Sequence, residues 1–118
     1  MLFSLYPTDP PEVRDAVVAA ARDHSREHAL FTSLHIPEAT RLNAFLDELR
    51  ALHVREGLTF CADISPLTLQ RLGLDLDDIG QLHEAGVRWV RIDFGFDTDQ
   101  IARIAARGGF RVALNAST

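Results

Sequence analysis

Leu58-Thr59-Phe60-Cys61-Ala62-Asp63, running on into Ile64-Ser65-Pro66, is the stretch that decides the fold. Successive side chains of a β-strand point to opposite faces, so residues two apart lie together. Leu58, Phe60 and Ala62 make one face wholly apolar, while Cys61 and Asp63 place a thiol and a carboxylate on the other. A strand in a doubly wound open sheet is covered by helices on both sides and wants apolar residues on both. One apolar face and one mixed face suit the wall of a (β/α)8 barrel, with helices outside and the mixed residues turned to the interior. The same parity recurs further on. Val90 and Ile92 oppose Arg91 and Asp93, and Phe110, Val112 and Leu114 oppose Arg111, Ala113 and Asn115. Near the start, Ser4 shares a face with Tyr6, and Ser33 with His35.

Five strands are predicted: Leu2 to Tyr6, Leu30 to His35, Leu58 to Asp63, Val87 to Asp93 and Arg111 to Asn115. Segments of helical period separate them, which is the pattern of a parallel sheet with crossover helices. Pro10 and Pro11 open the first helix with Thr8 or Asp9 as its cap, and Val13, Val17, Ala20 and Ala21 form its apolar stripe. Leu42, Phe45, Leu46, Leu49 and Leu52 define the second, and Gly57 stops it. The third connection is composite. Ser65-Pro66 starts a short helix that ends near Gly73, and Asp75 caps another running through Ile79 and Leu82 to Gly86. The fourth is capped by Thr98, turns Ile101, Ile104 and Ala105 inward, and ends at Gly108-Gly109.

Strand starts recur about every 25 to 30 residues, near the roughly 31 expected when about 250 residues make eight βα units. The fold expected is therefore α/β: a partial (β/α)8 barrel of five parallel strands and four helical crossovers. Residues 1–118 read as the N-terminal portion of one barrel domain, a fragment or truncated gene product without the remaining strands. The first and fifth strands then have unpaired apolar edges, which invite self-association.

The apolar fraction of 47% and the charged fraction of 25% belong to an ordinary globular domain with a real core. A net charge of -5 with scattered arginines offers no concentrated positive face, which argues against nucleic acid as a partner. Met1 to Pro7 lacks the basic segment of a signal peptide, and no apolar run approaches membrane-spanning length, so a cytoplasmic protein without a membrane partner is expected. Lone Cys61 has no internal disulfide partner and reads as an inert thiol inside an apolar strand.

Parallel strands open their carboxyl ends on one face, so the residues that end them converge. Those residues carry a family resemblance. Ser4-Leu5-Tyr6-Pro7, Leu30-Phe31-Thr32-Ser33-Leu34-His35-Ile36-Pro37-Glu38, Ala62-Asp63-Ile64-Ser65-Pro66, Val90-Arg91-Ile92-Asp93-Phe94-Gly95-Phe96 and Leu114-Asn115-Ala116-Ser117-Thr118 resemble, in order, the strand-end motifs of the bacterial 6-phospho-N-acetylmuramidase family. The resemblance implies a glycoside hydrolase with an N-terminal (β/α)8 barrel and a smaller C-terminal domain. The implied substrate is a phosphorylated amino-sugar disaccharide, N-acetylmuramic acid 6-phosphate linked to N-acetylglucosamine, cleaved in the cytoplasm during peptidoglycan recycling. Two departures stand out. Asp23 to His28 is more polar than the family pattern, and the last barrel strands, where barrel phosphate sites usually lie, are not in this sequence.

Glycoside hydrolysis needs two carboxyl groups flanking the bond, and Asp63 and Asp93 are the expected catalytic pair. They end neighbouring strands about 4.8 Å apart, close to the roughly 5 to 5.5 Å of a retaining enzyme. The alternative for both is structural, as helix caps or partners of Arg91. Arg91 lies deeper on the face of Asp93 and is expected to hold an aspartate in place. Tyr6, Ser33, His35 and Asn115 complete the expected substrate-binding set through stacking, hydroxyl, imidazole and amide groups. Glu38 belongs to the first turn of a helix. Trp89 is expected to fill the barrel core. No cofactor is implied, and His24, His28, His53 and His83 lack a shared metal-ligand spacing. Two further readings remain at this level. One is a metal-dependent barrel enzyme with Asp63, Asp93 and His35 around a divalent cation. The other is a non-catalytic half-barrel that binds sugar weakly or associates only with itself.

Overall fold

The computed structural model describes residues 4–6, 9–24, 30–92, 95–109 and 111–114. Helix α1 (Pro11–His24) leads to strand β1 (Leu30–Ser33), and helix α2 (Ala39–Glu56) to β2 (Phe60–Ile64). Helix α3 (Pro66–Leu72), a 3-10 turn at Leu76–Asp78 and helix α4 (Gly80–Glu84) lead to β3 (Val87–Ile92). Helix α5 (Thr98–Gly108) leads to β4 (Arg111–Leu114). All three strand pairings are parallel, and the order across the sheet is the order in sequence, β1-β2-β3-β4. Parallel neighbours need a crossover rather than a hairpin, and helices supply each one.

The helices cover one face of the sheet. Leu30 and Thr32 of β1, Phe60, Ala62 and Ile64 of β2, and Val87, Val90 and Ile92 of β3 are buried. They form one core with Leu42, Phe45, Leu46 and Leu49 of α2, Leu69 of α3, Leu82 of α4 and Ile104 of α5. Burial of a leucine such as Leu49 contributes about 1.5–3 kcal/mol. The other face carries Phe31, Ser33, Cys61, Asp63, Trp89, Arg91 and Arg111, none of them buried. A doubly wound sheet is covered on both sides. A singly covered parallel sheet in sequential order is consistent with a partial barrel.

Local chemistry explains where the elements begin and end. α2 stops at Gly57, whose φ of 72° lets its N–H return to the His53 carbonyl at 2.9 Å. Ser65 caps α3 in a reciprocal box with Thr68, with Pro66 at the first helical position. Asp75 accepts from the Asp77 N–H and opens the 3-10 turn, as expected for the second half of the composite connection.

Several expectations differ from the structure. The described residues form four strands. Of the first predicted strand, Leu2 and Phe3 lie outside the described residues, and Ser4 makes a parallel bridge to Phe31, supported by the Leu5 N–H donating to the Phe31 carbonyl at 2.8 Å. The strand predicted to reach His35 ends at Ser33, and the one predicted from Leu58 starts at Phe60. The α1 stripe holds at Ala21, which is buried, and at Val17, which packs against the core, but Val18 is buried and Val13 exposed. The Asp9 carboxylate accepts from the Tyr6 N–H at 3.0 Å and closes a turn there, and Thr8 lies outside the described residues. Asp97, one residue before Thr98, caps α5 in a box with Gln100, and Ala105 is exposed rather than inward. Trp89 is 39% exposed on the uncovered face instead of filling a core. Among the described residues no helix is long and apolar enough to cross a membrane.

Candidate active site

Register places the candidate residues in two rows across the uncovered face. Ser33, Asp63, Arg91 and Ala113 form the row nearer the carboxyl ends, and Phe31, Cys61, Trp89 and Arg111 the row below it. Asp63 and Arg91 are direct neighbours on β2 and β3. Their ion pair is 3.6 Å from Arg91 Nε to Asp63 Oδ1. Arg91 therefore holds an aspartate, and that aspartate is Asp63. The cap of α3 is Ser65, whose hydroxyl accepts from the Thr68 N–H at 3.3 Å.

Arg91 also lies over the Phe31 ring, 5.7 Å from guanidinium carbon to centroid, and Tyr6 meets Phe31 edge-on with centroids 6.2 Å apart. A guanidinium between a carboxylate and a π face is restrained from two sides. Tyr6 thus stands on the same chain of contacts as Asp63, although its ring is exposed. One row below, Arg111 stacks over Trp89 at 5.2 Å. Cys61 lies two residues before Asp63 on the same face. Its burial pushes the thiol above the usual range, the Asp63 carboxylate adds to the rise, and Arg91 opposes it.

Ser33 and His35 form one short turn, with the Ser33 hydroxyl accepting from the His35 N–H at 3.3 Å. His35 is exposed beyond the end of β1. Its flanking carbonyls are held by α3: the Thr68 hydroxyl donates to Leu34 O at 3.5 Å and Arg71 donates to Ile36 O at 3.4 Å. These two positioning residues escaped the sequence reading. Thr68 lies three residues after Ser65, where a capping box usually shows Glu or Gln, so the pattern gave only a weak signal. Arg71 had none, because its partner is a main-chain carbonyl distant in sequence.

The loop that follows β3 is laid against the start of α3. Gly95 has φ of 99°, and a Cβ there would come within 3.0 Å of Pro66 Cδ. The connections leaving β2 and β3 are thereby brought into contact. Asp93 and Asn115 lie outside the described residues. Glu38 precedes the first turn of α2 and makes no side-chain cap, so the first-turn role is not filled by a carboxylate. Among the described residues no group of three or more His, Cys, Asp or Glu side chains could hold a metal ion.

The arrangement offers a carboxylate fixed by an arginine at the carboxyl end of a parallel sheet, beside exposed phenol and imidazole groups. A family model described as "6-phospho-N-acetylmuramidase, N-terminal" matches residues 3–118. No curated protein and no solved structure matches the chain.

Proposed function

From the premise that the chain belongs to the 6-phospho-N-acetylmuramidase N-terminal family, we propose that it forms the sugar-facing part of a glycoside hydrolase. Its residues build the N-terminal portion of a (β/α)8 barrel, in which the face carrying Asp63, Trp89 and Arg91 turns inward when the sheet closes. The substrate is N-acetylmuramic acid 6-phosphate linked to N-acetylglucosamine, and the setting is cytoplasmic peptidoglycan recycling.

Asp63 and Asp93 are the two carboxyl groups. One protonates the glycosidic oxygen as the carbon–oxygen bond breaks, and the other either activates the water that adds to the anomeric carbon or attacks that carbon to form a glycosyl ester, which water then hydrolyses with the first carboxylate as base. The products are the two separate sugars. Arg91 is the positioning residue for Asp63. Tyr6, Ser33, His35 and Asn115 surround the sugar ring and its acetamido group. The phosphate is held elsewhere, because barrel phosphate sites usually lie in loops after later strands.

The observation that carries this reading is the family match over residues 3–118, and the place of Asp63 at the carboxyl end of β2 is consistent with it. The test is release of free N-acetylglucosamine from the phosphorylated disaccharide by the protein completed with the later barrel strands. Unchanged turnover in an Asp93→Asn variant removes Asp93 from the mechanism. Loss of activity in EDTA favours a metal-dependent enzyme instead.

A further inference from the structure

The N-terminal ends of β2 and β3 carry a second cluster of titratable groups, at the opposite end of the strands from Asp63. His53 of α2 and Arg88 of β3 meet there. His53 Nδ1 lies 2.7 Å from the Leu58 carbonyl oxygen, and Nε2 lies 3.3 Å from Arg88 Nη2. A carbonyl oxygen only accepts and a guanidinium only donates, so the two contacts together fix the tautomer. Nδ1 carries the proton, and Nε2 presents its lone pair to Arg88.

The same guanidinium ties down a third element. Arg88 Nη1 donates to the His83 carbonyl at 2.5 Å, in the last turn of α4, and to the Val87 carbonyl at 3.3 Å. A cation at a helix C-terminus is favoured by the helix dipole. The aim of Arg88 comes from a register shift. Phe60 pairs with Val87 and Cys61 with Trp89, so Arg88 is the extra residue of a bulge, and bulges redirect side chains. Gly86 lets the chain pass close to the imidazole, since a Cβ there would lie 2.8 Å from His53 Cβ and Cγ. Its carbonyl accepts from the Phe60 N–H at 2.9 Å, the first bond of the β2–β3 junction.

We propose that the His53–Arg88 contact is an acid-released clamp on the N-terminal ends of β2 and β3. When Nε2 takes a proton, the imidazolium has only donors to offer the guanidinium. The bond is lost, two cations face each other, and the junction around Gly86 and Phe60 loosens.

The surroundings act in the same direction. Burial, with Arg88 and His53 alongside, holds His83 below the ordinary histidine value near 6.5, while Glu84 pulls the other way. A histidine so lowered contributes stability that is present above that value and lost as pH falls below it. The charged groups set against His53 are Arg88 from β3 and His83 from α4, with Glu84 acting on His83. On its own helix Arg50 is paired with Asp47, and Arg55 with Glu56. The clamp is independent of the glycosidase reading, because it lies at the other end of the strands.

The experiment is amide hydrogen exchange on the 118-residue chain, followed by NMR and corrected for intrinsic exchange at each pH. If protonation of His53 opens the junction, protection of the Phe60 N–H falls severalfold as the solution is taken from about pH 7.5 to 5. In His53→Gln this pH-dependent fall disappears. A second measurement needs no variant: long-range proton–nitrogen spectra of the imidazoles at about pH 7.5 are expected to show His53 protonated at Nδ1. Phe60 protection that stays level across that acidification, the same fall in His53→Gln, or a His53 protonated at Nε2 overturns the clamp.

Discussion

Arg91 Nε lies 3.6 Å from Asp63 Oδ1 across a register that sets the two residues side by side on β2 and β3. The Asp63 side chain is 17% exposed and that of Arg91 41% exposed, so the carboxylate is the partner with more to lose when the pair is broken. Arg91→Gln is expected to destabilise the chain by about 1 kcal/mol, the upper part of the range for a partly exposed ion pair. Urea unfolding reads this directly. A change within about 0.5 kcal/mol, typical of an unimportant surface site, would show that the pair does not hold Asp63.

Cys61 reports on the same pair without any substrate. Burial and the Asp63 carboxylate raise its thiol above the ordinary value of 9.0, and Arg91 pulls it back. Asp63→Asn is expected to speed alkylation of Cys61 by iodoacetamide at pH near 8, and Arg91→Gln to slow it, each by a few fold. The stability effect has the sign of an acid whose folded value is raised. It is present below the unfolded value near 9.0 and is lost as pH rises through the folded one. Identical alkylation rates in both variants contradict the electrostatic account of this row.

The cap of α5 distinguishes two adjacent residues that are chemically alike. Asp97 accepts from the Gln100 N–H at 2.8 Å, and Gln100 Oε1 accepts from the Asp97 N–H at 2.9 Å. Asp97→Ala is expected to cost about 1 kcal/mol, and Thr98→Ala no more than a few tenths. Thermal or urea unfolding of the two variants gives the ranking, and the reverse order places the cap at Thr98.

Two glycines separate backbone strain from collision. Gly57 has φ of 72° with nothing within 4 Å of a Cβ built there, whereas Gly86 has φ of 98° and a Cβ built there would lie 2.8 Å from His53 Cγ. Gly57→Ala is expected to cost about 1 kcal/mol for the left-handed backbone alone. Gly86→Ala costs more, because His53 must also move off Leu58 and Arg88. Equal losses in the two variants count against the close approach.

The residues that made the fold legible in sequence are those whose signal is local. Phe60, Ala62 and Ile64 alternate with Cys61 and Asp63, and Gly57 ends a run of leucines at helical spacing. The same alternation placed Asp63 and Arg91 on one face, and their pairing follows from adjacent parallel strands. What escaped depends on geometry between distant segments. The bulge at Arg88 leaves no mark in composition, and the open face exposes Trp89 although its size suggests core. The choice between Asp97 and Thr98 turns on a one-residue phase that two capping residues in succession leave open. Thr68 and Arg71 act on carbonyls of Leu34 and Ile36, and main-chain acceptors carry no sequence signature.

The most direct measurement of the central claim compares N-acetylglucosamine release from the phosphorylated disaccharide by the completed barrel and by its Asp63→Asn variant. If Asp63 is one of the two working carboxyl groups, kcat falls by about 10²–10⁴, the range for loss of a positioned acid or base, with KM little changed. Turnover in Asp63→Asn equal to that of the unaltered protein contradicts the assignment of the β2 strand end as the cleavage site.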